Sequence, residues 1–88
     1  MNLEVIGLIA AAITTSGFIP QIIKGYRTKS LEDLSYLLNL LLGSGMFLWL
    51  IYGLLIGSFS VIVANIFGVI LNVTLLLMKY HYASQKVV

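Results

Sequence analysis

Trp49 and Asn65 are the residues of this 88-residue chain whose types and spacing point most directly to binding chemistry. An indole offers a broad apolar face, and a carboxamide both donates and accepts hydrogen bonds. Together they suit a sugar, whose C–H face stacks on the ring while its hydroxyls need donors and acceptors. The same pair would also serve ordinary packing, and residue types alone leave both readings open. Thr15, Ser16 and Asn72 extend the polar set as possible lining of a pathway. They would equally serve as interhelical glue, at under about 2 kcal/mol per bond. Pro20–Gln21 is the second informative pair, containing the only proline in the chain. Proline has no N–H and its ring crowds the preceding turn, so it kinks a helix and frees a carbonyl, here that of Ser16. A freed carbonyl is costly in lipid, which makes this pair a candidate hinge.

The elements that must position these residues follow from composition. The chain is 60% hydrophobic and 9% charged, and its mean hydropathy is +1.07. That is too apolar for a soluble domain of this size, so an all-α membrane protein is expected. Residues 5–23 form a first charge-free run, about 28 Å as helix. The second run, Leu34–Met78, has 45 residues. As a single helix it would be roughly twice the hydrocarbon thickness, so it must turn back once. Gly57–Ser58 is the break signal near its middle. The expected architecture is one three-helix transmembrane domain over residues 1–88, with spans at about 5–23, 34–56 and 59–78 and a tail at 79–88.

Charge sets the orientation. Lys24, Arg27, Lys29, Lys79 and Lys86 fall in the first loop or the tail, which the positive-inside rule makes cytoplasmic. The N-terminus and the Gly57 turn are then outside. A signal peptide fits residues 1–20 poorly, since Glu4 stands where basic residues are needed. Trp49 lies eight residues before Gly57 and Asn65 eight after it. On antiparallel helices both sit at one level, roughly 12 Å below the outer end.

Absences exclude several classes. No Asp, Glu, Lys, Arg or His falls inside any of the expected spans, which argues against proton coupling and rotary proton transfer. His81 has no nucleophile or acid partner beside it, so no enzyme is expected. With no cysteine and one histidine there is no metal or disulfide framework, and no cofactor is expected. Five basic residues split between two segments make no nucleic-acid stripe. Three helices cannot enclose a solute path, so a transporter built from them must pair with a second copy. Gly53/Gly57 and Gly7/Ala11 are small-residue pairs that permit close helix approach.

With these residues in place, the chain resembles the SemiSWEETs, bacterial half-size relatives of the SWEET sugar transporters within the PQ-loop superfamily. The resemblance covers nearly the whole chain. It rests on Phe18-Ile19-Pro20-Gln21, Thr28-Lys29-Ser30, Trp49-Leu50-Ile51-Tyr52-Gly53, and Asn65 sixteen residues after Trp49. It implies a parallel six-helix homodimer in the plasma (inner) membrane, moving mono- or disaccharides by uncoupled alternating access. Trp49 and Asn65 would line the sugar pocket, Pro20 and Gln21 would be the hinge, and Tyr52 an outer gate. Some members carry an Arg and an Asp as a polar outer latch, where this chain has Ile56 and Ser58. Two other readings stand beside this one: a non-transporting membrane scaffold, or a PQ-loop carrier of another small metabolite.

Overall fold

A computed structural model describes residues 3–86 as an all-helical chain. Its elements are α1 (Leu3–Ser16), α2 (Phe18–Thr28), α3 (Tyr36–Ile56) and α4 (Phe59–Lys86). Three helical stretches are long and apolar enough to cross a membrane: Leu3–Thr28, which joins α1 to α2, then Tyr36–Ile56 and Phe59–Gln85.

The break in the first stretch falls at Gly17, one turn before Pro20. The displacement is what proline chemistry demands. The bond Pro20 cannot donate would have ended on the Ser16 carbonyl, so the ladder opens there and Pro20 lies harmlessly in the first turn of α2. Side chains loosen the same turn. Thr15 Oγ1 donates to the Ala11 carbonyl at 2.8 Å, and Ser16 Oγ donates to the Ile13 carbonyl at 2.7 Å. Such back-bonding competes for helical carbonyls and bends the chain.

Elsewhere the helix ends are conventionally closed. Ser35 Oγ accepts from the Leu38 N–H at 3.1 Å and starts α3 two residues after Asp33. Gly57 ends α3 at φ 70°, a left-handed conformation that suits glycine. The Ser58 N–H then donates back to the Gly53 carbonyl at 3.0 Å. α4 does not stop near Met78. Residues 79–86, expected as a tail, continue it for two further turns, while 87 and 88 lie outside the described residues.

α4 is the central helix. It packs against α1, α2 and α3, while α3 makes no backbone contact with α1 or α2. Connection order and spatial order therefore differ. The small residues explain the close approach: a Cβ on Gly7 would strike the Ser60 side chain, and one on Gly53 would strike Val61. Both glycines thus serve packing within the chain. At the end away from the Gly57 turn, Leu31, Leu75 and Tyr82 form the buried core, flanked by Phe18, Ile22, Leu34 and Met78. Lys79 Nζ donates to the Leu31 carbonyl at 2.9 Å, which ties the first loop to α4.

The result is a slab of 53 × 21 × 14 Å, one helix thick. A single layer cannot bury its own faces, so most of its large apolar side chains are exposed.

Candidate functional site

The centre of one slab face is a groove of about 240 Å³ between α1, α3 and α4. Trp49 and Asn65 both line it, as does Thr15 from α1. Their convergence follows from antiparallel geometry about Gly57: equal offsets along two 1.5 Å-per-residue helices bring the side chains to one depth. No ionisable side chain is among the lining residues.

The two principal residues offer complementary surfaces. Trp49 is 56% exposed and meets Tyr52 edge-on, with ring centroids 5.4 Å apart and planes at 87°. The perpendicular contact steadies the indole, which stays largely exposed. Asn65 Nδ2 donates to the Val61 carbonyl of its own helix at 2.8 Å. That bond fixes the amide, and among the described residues its Oδ1 has no hydrogen-bond partner, so acceptor capacity remains for a ligand hydroxyl.

Other expected residues sit elsewhere. Tyr52 is one turn nearer Gly57 on α3 and lines a shallow open hollow with Gly45, Leu48 and Trp49. Ser16 is exposed and spends its hydroxyl on Ile13, so it is not part of the groove. Asn72 is 1% exposed and lines a different cleft between α3 and α4, with Asn39, Gly43 and Ser44. It lies seven residues, about two turns, beyond Asn65 along α4, and the groove does not extend that far. Asn72 Nδ2 is buried with no hydrogen-bond partner among the described residues. Pro20 is exposed in the first turn of α2, and Gln21 lines a small surface hollow with Lys24 and Asp33.

The structure adds residues that the sequence did not single out. Glu4 joins the N-terminal ends of α1 and α4: Ser58 Oγ donates to its Oε1 at 2.8 Å and the Ser60 N–H to its Oε2 at 2.5 Å. A carboxylate on the first N–H groups of a helix complements both the orphan donors and the dipole. The signal available in the sequence was the serine pair opening the third span, which a cap requires. Ser58, one of the two positions expected to matter for an outer latch, is thus engaged with its own chain. Met46 and Gly68 also line the groove. Nothing in their residue types marks them, because both look like ordinary membrane-helix residues.

Comparison with known proteins follows the same lines. Residues 4–87 match the family described as sugar efflux transporters for intercellular exchange. The sugar transporter SemiSWEET of Bradyrhizobium diazoefficiens is 40% identical over 80 residues, covering 91% of this chain and 93% of that protein. The crystal structure of a bacterial homologue of SWEET transporters aligns with a TM-score of 0.86 at 44% identity, over 90% of this chain and 95% of that one. The crystal structure of a SemiSWEET in the inward-open conformation aligns with a TM-score of 0.81 at 32% identity, over 96% and 90% of the two chains.

Proposed function

This chain belongs to the SemiSWEET family of sugar transporters, and from that premise we propose that two copies of the Trp49–Asn65 groove face each other and carry a neutral sugar across the membrane by alternating access. The observation that carries the reading is that one groove gathers Trp49 and Asn65 with no ionisable side chain beside them. An aromatic face and a fixed amide recognise a polyol; a lining without titratable groups gives a proton nothing to ride on.

The second copy is required by size and shape. A groove of about 240 Å³, open along one side, is below the roughly 300–1,000 Å³ usual for small-molecule sites. A parallel copy across a two-fold axis would double the volume and close the open side. The dimer also covers an apolar face that the single-layer slab leaves bare. Lys24 and Arg27 in the second half of α2, Lys29 just after it, and Lys79 and Lys86 in the α4 extension support a cytoplasmic location for those ends, with Gly57 outside.

Movement needs a joint, and Gly17 with Pro20 supplies one. α1 is fastened to α4 at the outer end through Glu4 and Ser60. Phe18 and Ile22 of α2 pack on the inner core instead. The two halves of the first span are therefore anchored separately, and the open turn between them can flex without breaking either anchor.

Uptake of a labelled hexose and a labelled disaccharide into proteoliposomes tests the function. The expected result is saturable flux of at least one sugar, unchanged by an imposed proton gradient and lost in the Trp49→Ala/Asn65→Ala double variant. Equal flux in wild type and double variant would overturn the assigned pocket. Flux driven up by the gradient would overturn uncoupled transport.

A further inference from the structure

We infer that Met46, laid across Gly68, is the floor of the sugar groove and sets how large a sugar it accepts. The inference rests on the Trp49–Asn65 groove being the sugar site, and it goes further by assigning a size-selecting residue within it.

The placement follows from helix direction. α3 runs outward and α4 runs inward, so Met46, three residues before Trp49, and Gly68, three after Asn65, both lie one turn deeper. That is about 4.5 Å toward the cytoplasmic end at 1.5 Å per residue. Both residues line the groove. The contact between them is tight: a Cβ on Gly68 would stand 2.9 Å from Met46 Sδ, 3.5 Å from Cε and 3.7 Å from Cγ. The outer half of the methionine side chain therefore rests where any residue other than glycine would place its own. Gly68 is buried, and Met46 is half-buried.

The chemistry of this floor is apolar. A thioether is a weak acceptor and has no donor, so it gives a sugar hydroxyl little to replace lost hydration. The next polar residues inward, Asn39 and Asn72, line a separate cleft between α3 and α4. On the α3–α4 side, hydroxyls are thus satisfied at the Trp49–Asn65 level and penalised below it, while Thr15 lines the α1 side with its proton already given to the Ala11 carbonyl. A ring held at that level fits above the floor, and a second ring pushed deeper meets Met46. Met46 has three rotatable side-chain bonds, so its position depends on the notch that Gly68 leaves.

Two substitutions should then act in opposite directions. Met46→Ala deepens the groove. Gly68→Ala lifts the thioether into it. The test is the ratio of kcat/KM for sucrose to that for glucose, measured in proteoliposomes. Met46→Ala should raise the ratio about tenfold, the scale that a methylene or two gives in an apolar pocket. Gly68→Ala should lower it, and adding Met46→Ala to Gly68→Ala should restore it. Met46→Leu, which conserves volume, should stay near wild type. Shifts in the same direction for both single variants, or no shift in either while wild-type flux is intact, would overturn the inference and leave the Trp49–Asn65 reading standing. If Gly68→Ala does not fold, Met46→Ala against Met46→Leu decides: equal ratios overturn the floor. Absence of saturable flux of either sugar in wild type overturns the functional reading itself, and this inference with it.

Discussion

In the proposed sugar site Trp49 and Asn65 would contribute by different physics, so they should fail differently. The indole supplies stacking area, and Trp49→Phe keeps part of that area while Trp49→Ala removes it. The expected order of sugar affinity is wild type, then Phe, then Ala, with Ala weaker by at least about tenfold in a binding titration. Asn65→Leu keeps the bulk and removes the amide. It should weaken binding of a hexose more than binding of an analogue lacking the hydroxyl that the amide contacts. Equal losses for both ligands would show that Asn65 only packs. The convergence of these two residues is legible in the sequence, since a tight turn at Gly57 lets residue counts stand for depth. Met46 and Gly68 are not legible in that way. Counting gives depth and says nothing about how far each helix is rotated toward its neighbour. The Glu4 cap is hidden for a related reason, because it joins residues 54 and 56 positions apart.

At the scale of the element, Pro20 matters through the turn it opens. Pro20→Ala restores an N–H to meet the Ser16 carbonyl, a bond worth about 1 kcal/mol. The first span should become one straighter helix. Sugar affinity should be nearly unchanged and transport slower; lost binding in a folded variant would contradict the hinge. The sequence located the defect to within a turn. It placed the kink on the proline, whereas the strain is relieved at the residues facing its missing bond. Gly57 gives a second element-scale prediction. Its φ of 70° makes Gly57→Ala unfavourable by about 1 kcal/mol, read as a lower Tm in detergent. Glu4→Ala should lower Tm as well, because the Ser60 N–H and Ser58 hydroxyl lose their acceptor. An unchanged Tm would show that the N-terminal ends of α1 and α4 hold together without it.

For the whole molecule, the sequence yields the number of spans and leaves their order in space open. Length and hydropathy count helices, but they carry no sign of which pair touches. α4 becomes central because Ser60 and Val61 meet glycines on both neighbours, Gly7 and Gly53. The flat slab that results, 14 Å in its thinnest direction, is half of an enclosure in the proposed dimer. The claim that joins every scale is that one sugar site is shared by two chains. Co-reconstituting wild type with the Trp49→Ala/Asn65→Ala variant in equal amounts tests it. A shared site survives only where two wild-type chains pair, so sugar flux should fall to about a quarter of the all-wild-type rate. Flux at about one half would mean that each chain works alone, and would contradict the account.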